Sequence, residues 1–196
     1  TRLQPFTDNH PKALAQVNGV PLLERNIKYL QSYGINDFVI NIHHFGGQIL
    51  AFLAENDNFG ANIEISNESD ELLETGGGLL FAKRFLENEK TFLIMNVDIL
   101  TDLNITNFIN IHELKGGMVT LAVSDRDSTR KLMFNDKMYL KGWKNLTTNK
   151  KTVVGGIFKL RELAFSGVHC VNSEIFTKIT RTGKFSIMDE YLDLMK

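Results

Sequence analysis

The feature that most narrows the fold is an alternation that runs from residue 20 to residue 123. Short apolar, β-branched runs take turns with amphipathic stretches of helical period. Phe38-Val39-Ile40-Asn41-Ile42 reads as a buried strand. So do the alternating pair Ile63 and Ile65, the run Thr91-Phe92-Leu93-Ile94-Met95, and Met118 to Val123. Between them lie helical patterns. Leu23, Ile27 and Leu30 recur at i, i+4 and i+7 behind Pro21, which suits a first helical position, and Gly34 stops the run. Gly46-Gly47 turns the chain into a helix with Ile49, Leu50 and Leu53 inward, and Leu79 to Leu86 forms another. Ile105, Phe108, Ile109 and His112 come after a cap at Asp102 or Asn104. Strands separated by helices need crossover connections. The pattern therefore predicts an α/β domain, Rossmann-like and three-layered (α/β/α), with a mostly parallel mixed sheet covered on both faces.

After Ser124 the rhythm changes. Leu132-Met133-Phe134, a turn at Asn135-Asp136-Lys137, and Met138-Tyr139-Leu140 read as an antiparallel hairpin elaboration. Thr152 to Lys159 and Ala164 to Val171 read as strands, and short helices at Ser173 to Thr180 and Met188 to Met195 close the series. No repeat, linker or low-complexity tract divides the 196 residues, so a single domain over 1–196 is expected. A net charge of -1 removes the electrostatic basis for a nucleic-acid or membrane surface. The one cysteine, Cys170, excludes an internal disulfide framework and fits a reducing compartment. With no apolar run of about 18 residues and no signal-peptide pattern, the expected address is the cytoplasm.

The first twelve residues fit neither period. Thr1-Arg2-Leu3-Gln4-Pro5-Phe6-Thr7-Asp8-Asn9-His10-Pro11-Lys12 reads as an ordered loop, stiffened by two prolines and carrying a planar guanidinium and a point-charge ammonium. Such a loop suits a polyphosphate, or is merely an arm with two solvated cations. Its wording favours the first. Thr1-Arg2-Leu3, Pro5, Thr7, Pro11-Lys12-Ala13-Leu14 and Val17-Asn18-Gly19-Val20-Pro21-Leu22 resemble the opening of the sugar-1-phosphate nucleotidyltransferases. That family's pattern runs Gly-x-Gly-Thr-Arg-Leu-x-Pro-x-Thr, then Pro-Lys-x-Leu, then Val-x-Gly-x-Pro-Leu. The resemblance implies a nucleotide-diphospho-sugar transferase fold. It also implies that the family's first strand with Gly-x-Gly, and its late Trp-x-Asp-x-Gly segment, are lacking here.

Three further stretches could carry chemistry. Leu73-Glu74-Thr75-Gly76-Gly77-Gly78 places three glycines between a strand and a helix, where a backbone can approach a ligand and amides can meet oxygens; the plain alternative is a turn needing positive φ. By resemblance this is the nucleotide loop, so Glu74, Thr75, Gly76, Gly77 and Asn96 are nucleotide-binding candidates. Its wording is closest to the N-acetylmuramate-1-phosphate uridylyltransferase-like branch, which favours UTP. Asn96-Val97-Asp98 comes after an apolar strand, and a hard carboxylate at a strand's carboxyl end suits Mg²⁺. The resemblance makes Asp98 the metal ligand, while Asp98 as a mere cap is the alternative. Phe165-Ser166-Gly167-Val168-His169 resembles the strand lining the sugar pocket, with Gly167 leaving a sugar ring room. Trp143 stands where relatives carry Glu-Lys-Pro and could stack on a sugar or simply pack. His43-His44 is weak as a metal pair, because neighbours on a strand face opposite ways. Asp189 reads as part of a helix start.

The resemblance thus implies an enzyme of the EC 2.7.7 class, working in nucleotide-sugar biosynthesis on cell-wall or polysaccharide precursors. It joins a nucleoside triphosphate to a sugar 1-phosphate with Mg²⁺, and its catalytic groups are Arg2 on the β- and γ-phosphates and Lys12 on the α-phosphate. Rival readings are a choline-phosphate cytidylyltransferase-like enzyme, which shares the opening loop, and a regulatory domain that only binds nucleotide. A glycosyltransferase with a similar sheet would need Asp-x-Asp, of which Asn96-Val97-Asp98 supplies half.

Overall fold

The structure is a computed structural model, and it describes residues 4–69, 71–155 and 159–195. The chain opens with a small hairpin, β1 (Gln16–Val17) and β2 (Val20–Pro21), whose turn uses Asn18 and Gly19 at positive φ. Helix α1 (Leu22–Gln31) comes next, with Pro21 one residue ahead of its first turn and Leu23 and Ile27 buried. Strand β3 (Asp37–Ile42), helix α2 (Gly46–Glu55) and strand β4 (Asn62–Asn67) form a crossover unit with a parallel pair, in register from Asp37–Asn62 to Ile42–Asn67. Then come α3 (Glu74–Phe81), α4 (Lys83–Leu86), β5 (Thr91–Met95), α5 (Ile105–Lys115) and β6 (Val119–Ser124). Asn104, not Asp102, caps α5, its side chain accepting from the Asn107 amide at 2.8 Å.

The second half is antiparallel. β7 (Arg130–Phe134), β8 (Leu140–Asn145) and β9 (Lys150–Val153) form a meander. Because Phe134 pairs with Leu140, Met138 and Tyr139 belong to the turn rather than to a strand; Met138 is left-handed and the Asn135 side chain accepts from the Tyr139 amide. The twelve-residue β10 (Arg161–Asn172) then runs through the centre, and α6 (Ile175–Lys178) and α7 (Ile187–Asp193) finish the described chain.

The α/β class expected from the sequence is what folds, with one difference in pairing. β5 and β6 point the same way but are not neighbours: β10 lies between them, antiparallel to both, and its far end also pairs with β7. Among the described residues β3 and β4 are the one parallel pair. A long strand apolar on both faces (Leu163, Ala164, Val168, Cys170 and Val171 are all buried) is more stable inside the sheet than at its edge.

Burial within this centre has a titration consequence. His169 and Tyr191 are both buried, and His169 Nδ1 lies 2.8 Å from the Tyr191 hydroxyl. Desolvation holds the His169 imidazole down to about 3. The unfolded chain therefore binds a proton that the folded chain refuses between about pH 6.5 and about pH 3, so this group's stabilisation is complete above pH 6.5 and is lost as pH falls. Urea unfolding at pH 7 and pH 5 should show wild type losing about 2 kcal/mol more than His169→Gln over that interval. Equal losses in the two proteins would mean that His169 is not held neutral.

A gap divides the β3–β4 pair from the six-stranded sheet. A cavity of about 1080 Å³ is lined on one side by residues 37–41 of β3 and on the other by residues 91–95 of β5, with Ile27, Ile49 and Leu79 from the helical layers. Neither facing strand edge has a ladder partner among the described residues. The carboxyl ends of the two strands lie together, since Ile42 and Val97 share a core cluster with Ala13.

Candidate active site

Residues that carry charge at the carboxyl end of this gap are placed by three short devices. Pro11 is extended, and a single 3-10 turn, Lys12–Leu14, comes directly after it. Ala13 of that turn is buried against Ile42 and Ile49, so the neighbouring Lys12 must face outward. The preceding loop is tied to α2: His10 Nδ1 is 3.0 Å from Gln48 Oε1, Gln48 Nε2 donates to the Asn9 carbonyl at 2.9 Å, and the Phe6 ring stacks on His10. Residues 6–10 of the loop are thereby fastened to α2.

The segment after β5 is held from two directions. The Asn96 amide donates to the Gly167 carbonyl of β10 at 3.0 Å, and the buried Asn26 of α1 donates through Nδ2 to the Val97 carbonyl at 2.9 Å. Directly after these anchors Asp98 projects toward Lys12, and the two form an ion pair. Their side chains are 43% (Lys12) and 38% (Asp98) exposed, open enough to exchange partners with a ligand. The structure thus brings together the cation and the carboxylate picked out by the sequence, from positions 86 residues apart (98 − 12). Arg2 lies outside the described residues.

Asn96 and Thr75 both line the gap, and the Thr75 hydroxyl accepts from the Ile187 amide at 3.1 Å. Glu74 and Thr75 are exposed, and Glu74 holds a left-handed φ of 61°. The glycines behave otherwise than expected. Gly76 and Gly77 are buried, and both their amides donate to the Phe185 carbonyl, at 2.9 and 3.3 Å. A Cβ on Gly76 would stand 2.3 Å from the Phe185 ring, one on Gly77 2.2 Å from the Gly183 carbonyl, and one on Gly78 2.4 Å from Glu68 Oε1. None of the three has positive φ. On this side the close backbone approach that glycine permits is made by the chain's own segment 183–185. Gly167 is also closely packed. It sits at a bulge with φ 77°, and its missing Cβ leaves room for Ile99, whose Cδ1 would be 2.5 Å away. Trp143 packs beside Leu132, Phe134 and Leu163. Cys170 is inert: burial pushes its thiol up to about 11.

Among the described residues no group of three or more His, Cys, Asp or Glu side chains is placed to hold a metal ion. Asp98 offers one hard oxygen donor with an open side. That suits an ion which keeps several waters and takes its remaining oxygens from substrate phosphates.

Residues 1–132 match the family model described as "Nucleotidyl transferase". The chain belongs to that nucleotidyl transferase family. Among curated members it is 38% identical over 105 residues to N-acetylmuramate alpha-1-phosphate uridylyltransferase of Neisseria meningitidis, covering 54% of this chain and 45% of that protein. It is 32% identical over 126 residues to a mannose-1-phosphate guanyltransferase of Gibberella zeae, covering 63% of this chain and 34% of that one. The matched part is thus less than half the length of either relative. The crystal structure of HddC from Yersinia pseudotuberculosis complexed with GMP-PN superposes with a TM-score of 0.75 at 18% identity, over 94% of this chain and 76% of that one. The fold is the nucleotide-diphospho-sugar transferase fold. No helix among the described residues is long and apolar enough to cross a membrane.

Two site-shaping residues escape a reading of the sequence. Asn26 stands three residues after Leu23 and four before Leu30, so it is a polar residue on the apolar stripe of α1, and that is its signal. Glu68 is buried although it lies in the polar run Asn67-Glu68-Ser69, which reads as solvated loop.

Proposed function

We propose that the full-length protein joins a nucleoside triphosphate to a sugar 1-phosphate, releasing pyrophosphate. The observation that carries this reading is the Lys12–Asp98 pair, set on the carboxyl side of β5 by a loop and a turn that belong to the nucleotidyl transferase match. An oxygen of the sugar phosphate attacks the α-phosphorus in line; the new P–O bond forms as the bond to the β-phosphate oxygen breaks, and the electron pair leaves with pyrophosphate. No protein nucleophile is needed, so the chain's task is positioning and charge neutralisation. Lys12 leaves Asp98 for the α-phosphate and the incoming phosphate. Arg2 takes the β- and γ-phosphates. Glu74, Thr75 and Asn96 border the nucleotide. Asp98 would hold Mg²⁺, which when bound spreads the charge of the reacting phosphates.

UTP is the favoured triphosphate, supported by the wording of Leu73-Glu74-Thr75 and by the uridylyltransferase among the relatives. Nucleotide-sugar supply in the cytoplasm for cell-wall or polysaccharide precursors is the corresponding role.

The test is pyrophosphate release by the full-length protein with Mg²⁺, crossing four nucleoside triphosphates with hexose 1-phosphates, N-acetylmuramic acid 1-phosphate and choline phosphate. Release should require one triphosphate, UTP first, together with one sugar phosphate. Release only with CTP and choline phosphate would replace the sugar reading. Nucleotide binding without release across the panel would leave a regulatory domain.

A further inference from the structure

The buried carboxylate of Glu68 lies just past β4 and is 4% exposed. Its Oε1 accepts from Asn41 Nδ2 at 2.5 Å, and its Oε2 accepts from the Leu73 amide at 3.2 Å. Its own backbone binds the end of β3: its amide donates to the Ile42 carbonyl at 2.8 Å, and its carbonyl accepts from His43 Nδ1 at 2.6 Å. No lysine, arginine or histidine forms an ion pair with it among the described residues. A buried carboxyl group is costly unless hydrogen bonds satisfy it, and the Asn41 and Leu73 donors offset that cost.

One of those donors leads directly into the nucleotide turn. Leu73 immediately precedes Glu74 and Thr75, and its carbonyl accepts from the Phe185 amide at 3.2 Å. The Phe185 carbonyl in turn receives the Gly76 and Gly77 amides. Glu68 is therefore the first member of a chain of bonds from β3 and β4, through Leu73, to the segment that clamps the start of α3. Gly78 completes it from the other side, since only a residue without Cβ lets the helix rest 2.4 Å, measured from the ideal Cβ position, against Glu68 Oε1.

We propose that Glu68 is a positioning residue for nucleotide selection: it fixes the turn carrying Glu74 and Thr75 against the carboxyl ends of β3 and β4 without touching substrate. The inference rests on the nucleotidyl-transfer reading for its consequence, but not for its geometry. Glu68→Ala strands the Leu73 amide and the Asn41 side chain, and leaves the turn with only its ties to the 185–187 segment, the Phe185 amide on the Leu73 carbonyl and the Ile187 amide on the Thr75 hydroxyl. Glu68→Gln keeps an oxygen for Leu73 and offers its amide to Asn41, whose side chain rotates to accept.

Two measurements separate the inference from the reading it rests on. In amide hydrogen exchange without substrate, Glu68→Ala should lower protection at Leu73, Gly76 and Gly77 at least about tenfold while β6 and β10 amides keep theirs, and Glu68→Gln should restore most of it. In steady-state kinetics, Glu68→Ala should raise KM for the preferred triphosphate about tenfold and reduce base discrimination, with kcat within about threefold and Glu68→Gln near wild type. Should Glu68→Ala fail to fold, Glu68→Gln and Asn41→Ala carry the same comparison in milder form. Unchanged protection at Leu73 would overturn the inference even in an active enzyme. So would a collapse of kcat at constant KM, which would place Glu68 among the reacting groups. An inactive wild type with the exchange pattern intact would sink the functional reading alone.

Discussion

Asp98→Ala should lower kcat/KM for nucleotidyl transfer by about 10²–10³-fold, the cost of removing one preorganised charge from a phosphoryl-type transition state. Its stability should hardly change. The Asp98 side chain is 38% exposed and its partner Lys12 43%, and an ion pair as open as that contributes little to folding. The segment that carries Asp98 keeps its own anchors, the Asn26–Val97 and Asn96–Gly167 bonds, whatever stands at position 98. Lys12→Ala should show a loss of the same order. If both side chains act on the same pair of phosphates, the double variant should lose much less than the product of the single losses, because residues that act as a unit are not additive. Steady-state rates of the four proteins beside their thermal midpoints check this. A variant that melts well below wild type but turns over normally would make the pair a structural tie.

Gly77→Ala should be the most destabilising single methyl in the described chain. The new Cβ would lie 2.2 Å from the Gly183 carbonyl and 2.9 Å from the Leu73 Cβ, and the nearer of these is backbone, which cannot rotate away. Segment 183–185 is also pinned beyond this contact. Phe185 is buried and gives its carbonyl to two amides, while Arg181 pairs with the buried Glu190 at 3.5 Å and with Asp193. Moving it aside would break bonds on both sides. Overpacking of this kind costs about 3 kcal/mol, which in a domain of this size lowers the thermal midpoint by roughly 6–12 °C. Gly47→Ala in α2 is the control, because nothing lies within 4 Å of its added Cβ. Calorimetry of both variants decides it: equal midpoints would mean that the α3 start is not clamped.

The alternation of strands and helices was legible because each buried strand and each amphipathic helix states its own period, and Lys12 and Asp98 were legible because each sits in a distinctive run of residues. Anything set by a distant partner was not. Nothing in Arg161 to Asn172 says that this strand enters between β5 and β6; that depends on burial on both faces, which its sequence shares with any central strand. The glycine triplet signalled close approach correctly but not to which group, since Phe185 lies far along the chain from Gly76. Gly167 repeats the lesson with Ile99. Glu68 was hidden by its neighbours: in a polar run a buried carboxylate has the same letters as a solvated one. Leu73 and Asn41, which make its burial tolerable, are separated from it by five residues and by 27.

The central claim is that the Lys12–Asp98 site serves transfer of a nucleotidyl group to a phosphate. Phosphorus-31 spectra of the full-length protein with UTP, Mg²⁺ and a sugar 1-phosphate test it most directly. The sugar phosphate resonance should be replaced by a diphosphate diester signal as pyrophosphate grows in equal amount, and Asp98→Ala should suppress both together. Growth of inorganic phosphate with the sugar phosphate signal untouched would show hydrolysis instead of transfer, and would contradict it.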